Sequence, residues 1–217
     1  MLFVDEIRTG INIMLHPTAA TKGSKDIGGI FTYYYKLSFI PLVLMIIVML
    51  ALASLVGGIM NKIPAIGGAF AALGILGAIV LPIAILWVFM PIGFLVSAGL
   101  LQIFGKLSKQ FKADYAKTLN AVIYGAVPSV LFYWIFFVPL LGGAVNIIMS
   151  IWGLIVLIIA LANQQRMGSF AALGVIILTA IVVGIIVGLV ALAFSVAFLS
   201  GIASAINSSN FTVTTVR

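Results

Sequence analysis

Residues 63–107 read IPAIGGAFAALGILGAIVLPIAILWVFMPIGFLVSAGLLQIFGKL, and the number of times this stretch crosses a membrane decides the topology of the whole chain. No charge appears before Lys106. A spanning helix takes about 20 mostly apolar residues to cross roughly 30 Å of hydrocarbon. The stretch is too long for one such helix and just long enough for two short ones. Its first part, 64–76, is rich in Gly and Ala and holds the pair Gly67-Gly68. The second part, 77–105, is a longer apolar run with Pro82 and Pro91.

Outward from this stretch the crossings are plainer. Residues 38–60 form a span with Pro41 in its first turn, where a missing N–H costs little, and Lys62 closes it. Residues 118–141 form another, with Pro128 inside and Pro139 near its end. A tight turn at Gly142-Gly143 leads back through 144–163, which Gln164-Gln165-Arg166 terminates. The last span, 170–200, is long enough to tilt or protrude.

Charge decides between one crossing and two in 63–107. With one, the basic segment 106–117 shares a side with the N-terminus, and that side carries Arg8, Lys22, Lys25, Lys36, Lys106, Lys109, Lys112, Lys117 and Arg166. The opposite side keeps Lys62 and Arg217. With two crossings the asymmetry largely vanishes. Because Lys and Arg concentrate in cytoplasmic loops, the sequence predicts five crossings, a cytoplasmic N-terminus, and 64–76 as a short external or re-entrant helix. The 201–217 tail is then external. Asn207 and Asn210, each followed at the second position by Ser or Thr, match the glycosylation acceptor pattern, which has use only on that face.

Composition agrees. Hydrophobic residues make up 64% of 217 positions and charged ones 7%, against roughly 45–50% and about 25% in soluble domains, so lipid must cover what charges cannot. The net charge of +7 is read as cytoplasmic-loop bias rather than as a nucleic-acid footprint. There is no cysteine, hence no disulfide or thiol chemistry. Asp5 and Glu6 stand where a secretory signal carries basic residues, and no signal-type apolar run follows.

The cytoplasmic side holds three elements. Residues 2–15 pattern as an amphipathic helix, with Phe3, Val4, Ile7, Ile11, Met14 and Leu15 on one face and Asp5, Arg8, Thr9 and Asn12 on the other. Such a helix either lies in the headgroup plane or docks on the base of the bundle. His16-Pro17 ends it, and 18–26 reads as a flexible loop. Tyr33, Tyr34 and Tyr35 ahead of the first span read as interfacial anchors. Over 105–117, Phe104, Leu107, Phe111 and Tyr115 fall on one helical face, and Lys106, Lys109 and Lys117 on another, with Lys112 nearby. This predicts a basic amphipathic extension. It acts as a solvated orientation signal, or as a contact for anionic lipid or a cytosolic or membrane protein.

Reactive chemistry is sparse. His16 is the one histidine, and the four carboxylates Asp5, Glu6, Asp26 and Asp114 all fall outside the spans. No metal-ligand cluster or phosphate-binding glycine loop is present, so no enzyme activity and no cofactor are expected. Proton-coupled carriers need ionisable residues in the membrane, and none is there. Polar residues within the spans, among them Ser97, Gln102, Tyr124, Ser129, Tyr133, Asn146 and Ser150, read as interhelical hydrogen-bond formers. They alternatively line a path for an uncharged or hydrophobic solute through helices broken at proline. Ala180, Gly184 and Gly188 make a small-residue stripe suited to helix packing, within the bundle or in a homodimer.

The order of these parts resembles the Yip-domain family of polytopic membrane proteins, first known as partners of Rab-type small GTPases. The resembling residues are Leu15-His16-Pro17, then Gly105-Lys106-Leu107 with Phe111, Tyr124-Gly125-Ala126-Val127-Pro128, Trp152-Gly153-Leu154 and Met167-Gly168-Ser169-Phe170-Ala171-Ala172. The resemblance implies five crossings, a cytoplasmic N-terminus, and a role in membrane organisation or vesicle traffic. The acidic and aromatic N-terminal segment of eukaryotic members, with its Asp-Leu-Tyr-Gly-Pro motif, has no match here, and the chain looks more like the prokaryotic relatives.

The expected protein is thus an all-α membrane bundle of five spanning helices (about 38–60, 77–105, 118–141, 144–163 and 170–200). A cytoplasmic helix and loop over 1–36 precede it. It acts as a non-enzymatic scaffold or adaptor, with a small channel or transporter, or an accessory subunit of a larger complex, as the alternatives.

Overall fold

A computed structural model of the chain describes residues 2–60 and 67–209, and among these there is no strand. In order, the helices are α1 (Leu2–Leu15), α2 (Pro17–Ala20), α3 (Ile27–Met60), α4 (Gly67–Ile83), a π-helical segment (Ala84–Phe89), α5 (Met90–Leu107) and α6 (Tyr115–Phe132). A 3-10 turn (Tyr133–Phe137), α7 (Leu141–Gln165) and α8 (Ser169–Ser209) complete the described residues. Five helical runs are long and apolar enough to cross a membrane: Ile27–Ile59, Gly74–Leu107, Tyr115–Phe137, Leu141–Gln165 and Ser169–Ile202. The protein is an all-α, multi-pass membrane protein.

The stretch 63–107 yields one spanning element, and its expected division near Leu76 does not occur. From Gly67 the chain is helical without interruption into the π segment and α5. No separate short helix forms over 67–76, and residues 64–66 lie outside the described ones. Nothing in 67–81 breaks a helix in an apolar medium, and α4 packs along α3 closely enough that a β-carbon on Gly74 would sit 3.5 Å from that of Ala53. The irregularity falls at Pro91. The Met90 N–H bonds back to the Ile85 carbonyl, so the next carbonyl in that register, Leu86, would need the N–H that Pro91 lacks.

The other helices extend past the expected spans mainly at their ends. Helix α3 begins at Ile27 rather than near 38, because the Asp26 carboxylate accepts from the Gly29 N–H at 3.2 Å and satisfies its first turn. Residues 27–36 therefore belong to α3. The α6–α7 turn lies at Val138–Leu140, with Leu140 at φ 69°. Gly142 is already in α7, where a β-carbon would stand 2.1 Å from the Phe136 carbonyl oxygen. At the C-terminal end, α8 runs to Ser209, beyond the expected limit of 200 and into the predicted polar tail.

The main compact unit comprises residues 1–176. Its core gathers Tyr33, Tyr34 and Leu37 from α3, Leu101 from α5, Leu119, Ile123 and Val127 from α6, and Val156 and Leu161 from α7. Tyr33 and Tyr34 are each 1% exposed; they are core residues rather than interfacial anchors. Helices α6 and α7 approach backbone to backbone. A β-carbon on Gly153 would lie 2.7 Å from the Gly125 carbonyl oxygen, and one on Gly125 would lie 2.6 Å from Leu157 Cβ. Small residues at a crossing permit this.

Helix α1 docks on the bundle. Ile13 is buried, and Gly10 sits so tightly that a β-carbon would come within 2.7 Å of Leu37 Cδ1. Trp152 Nε1 donates to the Met14 carbonyl at 3.1 Å, and Glu6 pairs with Lys36 at 3.8 Å. Asp5, Arg8, Thr9 and Asn12 stay exposed.

The second unit comprises residues 177–217, described to Ser209. Within it the helix is apolar on all sides, with Ile181, Val187, Phe194 and Leu199 each more than half exposed. Such a surface belongs in lipid.

Candidate functional site

The predicted basic amphipathic helix over 105–117 is interrupted: 105–107 close α5, 108–114 form a turn, and α6 starts at Tyr115. Helix α5 stops at Leu107 because Lys109 takes a left-handed conformation, φ 57°. The N–H groups of Gln110 and Phe111 then both reach the Gly105 carbonyl at 3.0 Å, which closes the helix end. The Phe111 ring folds back flat on Gly105, where an added β-carbon would come within 2.5 Å of three ring atoms. Phe111 is 7% exposed and belongs to the core. The Tyr115 hydroxyl donates to the Leu95 carbonyl at 2.9 Å. Phe111 and Tyr115 thus each make contacts that hold the turn in place. Lys106, Lys109 and Lys112 are exposed, and Lys117 is half-buried in the first turn of α6.

Buried amides organise this end of the bundle, and of these only Gln102 reads from the sequence as an interhelical hydrogen-bond former. Gln165, fully buried at the end of α7, accepts from the Ala113 N–H at 2.9 Å and donates to Thr118 Oγ1 at 2.8 Å. The Thr118 hydroxyl donates to Gln102 Oε1, and Gln102 Nε2 donates to the Ala113 carbonyl at 3.1 Å. One loop residue has both backbone groups satisfied from α5 and α7.

Adjacent side chains do the same for residues 18–25. Gln164 Nε2 donates to the carbonyls of Thr21 and Gly23, both at 2.7 Å. Asn163 Nδ2 donates to the Thr18 carbonyl at 3.2 Å and to Thr21 Oγ1 at 2.8 Å. Asn120 accepts from the Lys25 N–H at 3.0 Å and returns a bond to the Lys25 carbonyl at 2.7 Å. The segment expected to be a flexible loop is therefore pinned by three amides, since buried backbone polar groups need partners.

These clamps bring two basic loops side by side. Lys22 and Lys25 on one, and Lys106, Lys109 and Lys112 on the other, are exposed around the layer. The Lys25 ammonium also stands 5.8 Å from the Tyr33 ring centroid. The result is two lysine-bearing loops, each held by amide side chains at the same end of α7.

The remaining candidates sit elsewhere. Ser129, Tyr133 and Asn146 border a cavity of about 10 Å³, about the room for a single water. Gln102 is engaged in the network above, and the Tyr124 hydroxyl reaches the Gly23 carbonyl at 3.4 Å. Ala180, Gly184 and Gly188 are exposed within the second unit, and a β-carbon on either glycine would meet nothing within 4 Å. The side chain of Asn207 and all of Asn210 lie outside the described residues. No group of three or more His, Asp or Glu suited to a metal ion occurs among the described residues.

No protein-family model matches the chain, and neither the curated proteins nor the solved structures yield a match.

Proposed function

We propose that the protein is a non-enzymatic membrane scaffold or adaptor of the Yip-domain type, working in membrane organisation or traffic through its lysine-bearing face. The observation that carries this reading is the pairing of two exposed basic loops on a buried amide layer, Gln164 holding one and Gln165 the other. A loop needed only to orient a chain in the membrane has no need of fixed geometry. A recognition surface does, because immobilising it beforehand lowers the entropy lost on binding. The bias of Lys and Arg toward this end supports a cytoplasmic position for the face. Its partner is a protein with an acidic surface.

The test is in-membrane crosslinking of the tagged chain, with Lys106, Lys109 and Lys112 changed together to Glu. Loss of a stoichiometric crosslinked partner, with topology and expression preserved, supports the reading. Unchanged partner recovery removes its basis. Recovery of the wild-type chain alone does the same.

A further inference from the structure

Beneath α1 the docked helix leaves a groove, a cavity of about 420 Å³ whose walls are entirely apolar side chains. Ile7, Ile11 and Met14 of α1 form one wall, Pro41 and Leu44 of α3 a second, and Leu131 of α6 a third. The volume falls within the roughly 300–1,000 Å³ of small-molecule sites. An apolar void of this size gains nothing from water, which needs polar partners to stay. In a chain that spans the membrane, the apolar material at hand is the acyl chain.

The rim supplies the other half of an amphiphile's chemistry. Ile11 and Leu15, which border the cavity, also border a shallow polar surface made by Arg8, Asn12 and His16 along the outer side of α1. Glu6 is engaged by Lys36, whereas Asp5 lies one turn before Arg8 and is exposed. The Arg8 guanidinium offers a planar fork of donors that suits a phosphate, and Asn12 lies one turn further along the same face.

We propose that this groove binds one anionic phospholipid of the bilayer, with an acyl chain between α1, α3 and α6 and the phosphate at Arg8 and Asn12. The site is separate from the lysine-bearing face, and the inference does not rest on the adaptor reading. It gives α1 a role as the clasp of a lipid site, not merely a base plate of the bundle.

The experiment is native mass spectrometry of the full chain, released from nanodiscs of equimolar phosphatidylglycerol and phosphatidylcholine. One retained phosphatidylglycerol per chain is expected, in preference to phosphatidylcholine. Ile11→Trp and Leu44→Trp fill the cavity from opposite walls and should each strip the lipid. Arg8→Gln keeps the cavity and should lower the preference for phosphatidylglycerol about tenfold, the scale of one lost charge-assisted hydrogen bond. A chain released without lipid would overturn the proposal, as would tryptophan variants that retain the wild-type amount. Equal retention of the two lipids by wild type and Arg8→Gln would also overturn it. Arg8 is exposed, so this variant decides the matter even where a tryptophan variant fails to fold.

Discussion

The Tyr34 hydroxyl donates a hydrogen bond to the carbonyl of Leu86, the acceptor that Pro91 leaves without a backbone donor. The Tyr35 hydroxyl reaches the neighbouring Trp87 carbonyl at 3.4 Å, and Trp87 Nε1 donates to Ser38 Oγ at 3.3 Å. A helix irregularity caused by proline is thus repaired from α3, as unsatisfied backbone groups at membrane depth require.

Tyr34→Phe should therefore destabilise the bundle by about 1 kcal/mol, the net worth of a buried hydrogen bond. Pro91→Ala restores an N–H able to serve Leu86, so Tyr34→Phe should cost less in that background, and the double mutant should fall short of additivity. Equal losses in both backgrounds, measured by thermal unfolding in detergent, would disprove the link. The neighbouring Tyr33 gives a built-in contrast. Its hydroxyl is buried without a hydrogen-bond partner, so Tyr33→Phe should be neutral or stabilising.

Gln164 and Gln165 are adjacent but hold different loops, and limited proteolysis separates their effects. Gln165→Leu should free the Ala113 backbone and make the chain more sensitive to trypsin after Lys109 and Lys112. Gln164→Leu should do so after Lys22 and Lys25. Each removes buried hydrogen bonds and leaves backbone groups unpaired, which costs about 1–3 kcal/mol. Cleavage that rises equally at both loops in either variant would mean the layer melts as one, against separate clamping.

How this end of the bundle was and was not legible follows from those partners. Hydropathy and charge suffice for the spans, since each is a local property of about 20 residues. The clamping of 18–25 is invisible locally, because Asn120, Asn163 and Gln164 stand far along the chain and amides near a span end read as a mere stop. Over 105–117 the spacing of Phe104, Leu107, Phe111 and Tyr115 satisfies a helical period. Yet Lys109 turns left-handed and Phe111 packs on Gly105, so tertiary packing overrides the pattern. Tyr33 and Tyr34 obey the interfacial rule for position but not for depth, since their rings complete the core between α3, α5 and α6. The bare glycine at 105 was the one local signal for the fold-back.

The glycines divide into those the packing needs and those it does not. Gly125→Ala and Gly153→Ala place a methyl within 2.7 Å of the facing helix and should destabilise by about 1–3 kcal/mol, as overpacking does. Gly105→Ala should act likewise by displacing Phe111. Gly184→Ala and Gly188→Ala meet open space and should leave the unfolding temperature unchanged or slightly raised, since Ala favours helix over Gly. Destabilisation by these last two in detergent would show that something packs against the stripe.

The topology itself yields to labelling, because the chain contains no cysteine and each introduced one reports alone. Ser24→Cys lies in the loop held by Gln164, and Ser108→Cys lies at the end of α5 beside the loop held by Gln165. A single span through Gly74–Leu107 requires both to react with a membrane-impermeant maleimide from the same side. The positive-inside rule predicts a cytoplasmic position for that side, so intact cells should protect both positions and inside-out vesicles should expose both. Labelling of the two from opposite sides would mean that 63–107 crosses twice, which would separate the two loops that adjacent glutamines hold together here. Labelling of both from outside would keep the fold but invert the orientation, and with it the compartment of the proposed partner.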